Sequence, residues 1–419
     1  MRVLVVGSGG REHALCWKIS KSPLLSELFC APGNPGTAEL GTNVEFGSVV
    51  QLADWACTQN IGLTIVGPEA PLAAGLADEF LRRGLKVFGP VKAAARLESS
   101  KSFAKEVMLE AGVPTPGGRA FDNYEEALLY LEQSPEPLVV KADGLAAGKG
   151  VLVPETKEEA QQELKSFMCE GRLGGAGSRV VLEEKIRGAE ASLMAIIAGD
   201  QILPLAVSQD YKRLLDDGMG PNTGGMGAIS PTKVLSYDRS LVLSQQIFKP
   251  VVEWLKNRGI AYCGFLYAGL IIDEITGKEK VLEFNVRLGD PETQVLMLRM
   301  ESDLLDVLNK AASGESLANE LLWSTDAACC VVATSRGYPE KPHTGDVVNG
   351  LFSESSETVI FQAGTAPSTQ DKGQIITSGG RILCVSARAG TLDGAVERAY
   401  AGIGQISFEG MHYRRDIGR

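Results

Sequence analysis

The first hundred residues alternate between two kinds of segment, and that alternation limits the folds open to the chain. "RVLVV", "LLSELFCA", "IGLTIVG" and "GLKVFG" are short apolar runs that end at glycine or proline. Such runs read as parallel strands buried on both faces. Between them lie stretches of helical spacing. Pro71 opens one, and Leu72, Leu76 and Phe80 follow at four-residue intervals. The pattern predicts a doubly wound α/β unit.

At 419 residues the chain is too long for one compact core. A helix is expected from Ser99 or Ser100, with Phe103, Val107, Met108 and Ala111 on one face, and "AGVPTPGG" (111–118) reads as a linker. "PLVVKAD" and "GVLVPE" read as strands, followed by a helix carrying Ala160, Leu164, Phe167 and Met168, then the strand "RVVLEEKI". Residues 190 to about 325 mix strands with helices after 240 and 291. From Thr325 the reading is mostly strands, with one helix near 391–404. The expected units are 1–103, then 107–313 in two lobes (about 120–190 and 191–313), then 326–419.

Apolar content of 44% with 22% charged residues is ordinary for a globular protein. The net charge of −11 is spread along the chain and argues against nucleic acid as a main partner, though not against small anions held locally. The eight cysteines form no CxxC pair, and most sit in apolar runs such as "AACCVVAT", where they read as buried hydrophobes. Three histidines leave little for a zinc site. No apolar run approaches the ~20 residues of a membrane span, and a glycine loop follows the first apolar run too soon for a signal peptide. A reducing cytoplasm is the expected location.

"VVKADGLAAGKGVLV" (139–153) looks like a phosphate-binding P-loop, but Gly144 to Gly148 is one residue too short and Gly150 stands where a hydroxyl should be. The residues after Gly150 are "VLVPET", so the loop joins two strands as a hairpin flap rather than opening a helix. Such a flap can cover a triphosphate and offer backbone N–H groups. Val139, Lys141 and Asp143 share one side of their strand, which lets Lys141 face a ligand, and Lys149 sits on the loop itself. A surface hairpin is the plain alternative.

"VLEFNVRLGDPE" (281–292) places Glu283, Asn285 and Arg287 at i, i+2 and i+4, on one face of a strand. Oxygen donors of that kind suit Mg²⁺ or Mn²⁺ bound to phosphates, and the arginine suits an oxyanion. The alternative, a solvated face with a Glu–Arg pair, is weakened by the apolar neighbours. In "VVLEEKIRGAE" (180–190) an apolar strand runs into acids that could take an adenine amino group and ribose hydroxyls. By itself a charged strand end is the better reading.

In this order the three segments resemble the ATP-grasp superfamily, in which two lobes close on ATP. "GSGGREHAL", "APGNPGT", "TIVGPEAPL", "KADGLAAGKGV", "SQDYKR", "GPNTGGMGA", "GFLYAGL" and "EFNVRLGDPE" are similar to the phosphoribosylamine–glycine ligase (glycinamide ribonucleotide synthetase) family across essentially the whole chain, in its monofunctional bacterial form. The resemblance implies an N-terminal doubly wound parallel-sheet (pre-ATP-grasp) domain, a two-lobed ATP-grasp α+β domain and a β-rich C-terminal domain. It also implies ligation of glycine to 5-phosphoribosylamine in purine synthesis, with ATP cleaved through a glycyl phosphate. Small molecules would be the only partners, with neither nucleic acid nor membrane, and the protein a monomer or weak dimer.

Carried over by position, Lys141 and the 143–150 flap (Gly144, Gly148, Lys149, Gly150) would meet the ATP phosphates, with Lys101, or failing that Lys105, as a further cation. Glu183 would meet adenine, backbone groups from Glu184 to Ile186 would line its edge, and Glu190 would hold the ribose. Glu283 and Asn285 would ligate Mg²⁺ or Mn²⁺. Arg287 would take the glycine carboxylate or acyl phosphate. Gly9, Gly10, Arg11, Glu12, Asn34 and Glu69 would form the phosphoribosylamine pocket, completed by Asp210, Lys212 and Asn222, Thr223, Gly224, Gly225 and Met226. Asp210 and Asp290 are both candidates to accept the amine's proton.

Two departures stand out. The hinge reads Gly188-Ala189-Glu190 with one acid where two are usual, and "GFLYAGLII" lacks a metal-binding acid. An NAD-binding Rossmann protein is the rival reading of "GSGGREH", but "FCAPGN" has no acid where the ribose would need one. A sister ATP-grasp ligase and a non-catalytic regulatory protein are the others. His13 is expected to cap or position rather than to react.

Overall fold

The computed structural model describes residues 1–146, 150–351 and 357–419; Gly148 and Lys149 fall outside these. The N-terminal unit is the expected parallel sheet. Strands β1 (Arg2–Gly7), β2 (Glu27–Pro32), β3 (Thr42–Asn43), β4 (Leu63–Val66) and β5 (Val87–Phe88) lie in the order β3-β2-β1-β4-β5. β1 pairs in parallel with both β2 and β4, so strand order reverses between β1 and β4. A crevice at the carboxyl ends of those two strands is where such sheets bind ligands.

The helix expected to run on from Pro71 is two short ones, Glu69–Ala74 and Leu76–Arg82. Gly75 takes φ +94° between them, a left-handed turn that glycine alone adopts readily, and it breaks the four-residue rhythm.

The glycine-rich segment is a hairpin, as its sequence predicts. β7 (Leu138–Ala142) pairs antiparallel with β8 (Val151–Leu152), and with β6 (Gly118–Phe121) and β9 (Val180–Glu184) they form a sheet ordered β6-β9-β7-β8. The helix Lys157–Met168 packs Ala160, Leu164 and Phe167 beneath it. The central lobe is a second antiparallel sheet, β11-β10-β14-β15, built from β10 (Gly188–Ala198), β11 (Gln201–Pro204), β14 (Cys263–Asp273) and β15 (Glu279–Asn285).

A third antiparallel sheet crosses the boundary expected near residue 326. β12 (Gln209–Asp210) and β13 (Gly227–Ser230) precede that boundary, yet they pair with β16 (Ala327–Thr334), β20 (Arg381–Ala389) and β17 (Thr358–Gln362), in the order β12-β13-β16-β20-β17. A small hairpin, β18 (Thr365–Pro367) with β19 (Ile375–Thr377), completes the strands. Shared pairing makes the C-terminal segment a wall of the central lobe, not an appendage.

The C-terminal segment also grips the N-terminal unit. His13 is buried on the first helix (Gly10–Ile19), accepts the Gln362 backbone N–H at Nδ1 (2.9 Å) and meets Phe361 edge-on. Burial lowers its pKa to about 4, so it serves as a neutral joint. All eight cysteines are free thiols; Cys57 and Cys169 are exposed, whereas Cys329 and Cys330 of "AACCVVAT" are buried as expected. Among the described residues no helix is long and apolar enough to cross a membrane.

Candidate active site

The strands bearing the two central motifs meet. Lys141 Nζ on β7 donates to the Leu282 carbonyl on β15 at 2.9 Å, immediately beside Glu283. Burial would raise the Glu283 carboxyl pKa, but Lys212, Lys101 and Lys141 outweigh it and hold the pKa below the usual value. A fixed anion thus stands among three cations from different segments. Lys101 opens the helix Lys101–Glu110, where Ser100 caps Phe103 N–H. The Asp143 carboxylate at the root of the flap accepts Ser102 N–H at 2.6 Å, tying flap to helix.

Glu183, expected at adenine, instead bridges two lysines: 2.6 Å to Lys141 and 2.8 Å to Lys105. All three side chains are nearly fully buried, and an unpaired charge there would be costly. Lys105 also donates to Thr115 Oγ1 (2.8 Å) and the Pro116 carbonyl (2.7 Å), so its three protons are used within the protein and it is not a phosphate cation. Burial lowers its pKa. Glu184 pairs with Lys280 through its side chain, and its N–H donates to the Gly117 carbonyl at 2.7 Å, so neither is left for a base.

Arg287 lies just past the end of β15 and is already heavily engaged. It reaches Glu98 (2.7 Å), Glu69 (3.3 Å), Asn285 Oδ1 (2.9 Å) and the Leu288 carbonyl (3.3 Å). The two acids raise its pKa against the effect of burial. Of its five N–H groups, one remains for an oxyanion, so a two-pronged grip on a carboxylate is not available in this arrangement. Glu98 was not singled out by any sequence signal. It sits at the end of a helix, accepts Val286 N–H at 2.8 Å and is buried, which raises its pKa.

Asp290, Glu12 and the start of the first helix line a second crevice. A cleft of about 330 Å³ opens at the β1/β4 reversal, lined by Gly7, Ser8, Gly9, Arg11, Glu12 and Asp290 among others. Glu12 is buried beneath it, accepting Gly9 N–H at 2.7 Å and pairing with Arg11 at 2.5 Å. Asn34 caps the next helix through Oδ1 and donates both amide hydrogens to the Ser8 and Gln362 carbonyls at 2.8 Å. Its side chain therefore shapes the cleft and has no hydrogen left to donate to a ligand. Gly10 faces Gln294 so closely that a Cβ would meet its Nε2 at 2.7 Å. Met226 is fully buried and contributes packing, while Thr223 Oγ1 holds the turn by donating to the Lys212 carbonyl at 2.7 Å. Asn222 bridges to Arg213 at the start of that turn.

The two aspartates differ. Burial, with Glu292 and Glu190 nearby, pushes Asp210 up to about 7 although Lys212 opposes the shift. Lys212 itself is raised by Asp210 and Glu190 against burial, and it meets Glu190 at 2.9 Å. Asp290 is lowered: burial opposes this, but Arg381 and Arg11 prevail.

Among the described residues no group of three His, Cys, Asp or Glu side chains gathers as a metal shell. Glu283 and Asn285 can supply two oxygens, though Asn285 Oδ1 already accepts from Arg287. This set fits an ion such as Mg²⁺ that takes its remaining ligands from phosphates and water, and does not fit an all-protein cage.

A two-lobed clamp of this form, with a cationic hairpin facing an E-x-N strand, defines an ATP-grasp enzyme. The chain is similar in fold to the biotin carboxylase domain of 2-oxoglutarate carboxylase from Hydrogenobacter thermophilus (TM-score 0.76, 17% identity, 98% of this chain and 91% of that one). Family models for phosphoribosylglycinamide synthetase match residues 1–98 (N domain), 99–293 (ATP-grasp domain) and 328–419 (C domain), and the chain belongs to that family. It is 48% identical to phosphoribosylamine–glycine ligase of Ralstonia nicotianae over 100% of this chain and 99% of that one, and 46% identical to that of Escherichia coli K12 over 100% and 98%. The crystal structure of phosphoribosylamine–glycine ligase from Thermotoga maritima superposes with TM-score 0.86 at 34% identity, covering 99% of this chain and all of that one.

Proposed function

We infer that this chain joins glycine to 5-phosphoribosylamine, cleaving ATP to ADP and phosphate and giving glycinamide ribonucleotide for purine synthesis. The observation that carries the reading is the Lys141–Leu282 contact, which sets the phosphate-facing lysine beside Glu283 and Asn285. In the first half-reaction a glycine carboxylate oxygen attacks the γ-phosphorus and ADP leaves. Lys141 and Lys101 neutralise the developing charge on the phosphoryl oxygens. Glu283 and Asn285 would hold Mg²⁺ or Mn²⁺, which supplies charge neutralisation to the triphosphate.

In the second half-reaction the sugar amine attacks the glycyl carbonyl and phosphate leaves. The amine proton passes to Asp210, whose pKa near 7 suits a base at neutral pH better than the charge-locked Asp290 does. The β1/β4 cleft holds the phosphoribosyl moiety, and Arg287 offers its one free N–H to the acyl phosphate. We place the functional units at 1–103, 107–313 and 326–419, and the protein in the cytoplasm as a monomer or weak dimer. Free thiols fit a reducing compartment.

The test is ADP release by the purified chain with ATP, Mg²⁺, glycine and phosphoribosylamine generated in situ. Release should require both acceptor substrates, and alanine or serine should not replace glycine. Turnover with another amino acid in preference to glycine would assign the chain to a sister ligase.

A further inference from the structure

The C-terminal segment sends one charged side chain into the site. Arg381, the first residue of β20, donates from Nη2 to Asp290 Oδ2 at 2.9 Å. From Nη1 it donates to the Asp290 carbonyl and to the Gly224 carbonyl at 2.7 Å. Gly224 is held at both its carbonyl and its N–H by this segment, because the N–H donates to Tyr338 Oη at 3.0 Å. The guanidinium lies so close to the turn that a Cβ on Gly224 would sit 3.1 Å from its Cζ. Gly225 takes φ +117°, and a Cβ there would meet Pro291 Cδ at 2.5 Å.

Arg381 thus fastens three things together: the Asp290 carboxylate, the Asp290 main chain and the 224–225 turn. The other Asp290 oxygen accepts from Gln294 Nε2 at 2.7 Å, so the carboxylate is fixed over the start of the first helix. Cβ atoms built on Gly9 and Gly10 would lie 3.6 and 3.7 Å from its two oxygens. Asp290 lines the β1/β4 cleft, whereas Lys141, Lys101 and Glu283 belong to the triphosphate side.

We infer that Arg381 is a positioning residue for the second half-reaction: it holds Asp290 and the Gly224–Gly225 turn in place at the sugar cleft without touching the nucleotide. The inference rests on the ligase reading above. A lysine could keep the charge but could not reach the carboxylate and two carbonyls as a planar fork.

The experiment compares wild type with Arg381→Met and Arg381→Lys, measuring KM for phosphoribosylamine and for ATP, and binding of MgADP alone. Arg381→Met should raise the phosphoribosylamine KM about tenfold or more and leave the ATP KM and MgADP affinity within about threefold. Its phosphoribosylamine KM should also worsen as pH falls, because Asp290 has lost the guanidinium that keeps it ionised. Arg381→Lys should rescue that pH trend and only part of the KM. If Arg381→Met fails to fold, Arg381→Met with Asp290→Asn removes both half-buried charges and should fold, with the same selective KM defect. Equal rises for ATP and phosphoribosylamine, or no change in either, would overturn the inference while leaving the ligase reading intact. A wild-type chain with no phosphoribosylamine-dependent turnover would overturn both.

Discussion

The Glu183 carboxylate lies between two buried lysines from different elements, 2.6 Å from Lys141 and 2.8 Å from Lys105. The arrangement separates a catalytic effect from a structural one. Lys141→Met leaves Glu183 paired with Lys105, so the fold should survive with a modest loss of stability. Turnover should fall about 10²- to 10³-fold, the usual effect of removing one preorganised charge from a transition state. Glu183→Gln instead leaves two ammonium groups without their shared anion, and should cost about 3–5 kcal/mol in chemical denaturation. A Lys141→Met variant with near-normal turnover would remove this lysine from the phosphate site.

That geometry also marks how far the sequence could be read. Hairpin and E-x-N strand were legible because strand period and glycine punctuation are local signals. Lys105, at helical spacing from Lys101, looked like an alternative cation; only the third dimension shows Thr115, Pro116 and Glu183 absorbing its three protons. Glu98 and Arg381 left no trace, since each meets its partner across long sequence separations, from a helix end and a strand start that resemble many others. Asn34 lies beside the glycine loop and its cap on Thr37 N–H is a local bond, but its tie to the Gln362 carbonyl is one that no local pattern reveals.

Asp210 gives a pH prediction with a definite sign. Its folded pKa of about 7 lies above the ordinary 3.8, so the fold favours the neutral carboxyl. The associated stability is complete below about pH 4 and fades as pH rises towards about 7. Asp210→Asn should remove that slope, gaining on wild type across the same window in urea denaturation. The variant should also lose about 10²- to 10⁴-fold in turnover, along with the acid limb near neutrality in kcat/KM for phosphoribosylamine. Persistence of that limb would move the proton acceptor elsewhere.

Glu283→Gln tests the proposed metal ligands apart from turnover. Glu283 is held ionised by Lys212, Lys101 and Lys141, so the amide removes a full negative charge from among three cations. Free ADP should bind the variant at least as well as wild type, because the cations lose an internal competitor. The gain in ADP affinity on adding Mg²⁺ should shrink about tenfold or more, since one of two protein oxygens for the ion has gone. Calorimetric titration of ADP with and without Mg²⁺ reads both quantities. An unchanged magnesium effect would take Glu283 out of the metal shell.

Gly67→Ala probes the floor of the β1/β4 cleft from beneath. Gly67 follows β4, and a Cβ there would lie 2.2 Å from Glu12 Oε1 and 2.4 Å from its Cγ. Glu12 is nearly fully buried and cannot swing out to solvent, so it must shift and loosen its hold on Gly9 N–H and Arg11. Overpacking of this kind costs about 1–3 kcal/mol, which thermal denaturation will register. The more telling readout is selective: KM for phosphoribosylamine should rise about tenfold, with KM for ATP little altered, because the lysines proposed for the triphosphate, Lys141 and Lys101, lie on a different strand and a helix. An intact phosphoribosylamine KM in a folded Gly67→Ala variant would show that the sugar does not depend on the Glu12 floor, and would put its binding site outside the β1/β4 crevice.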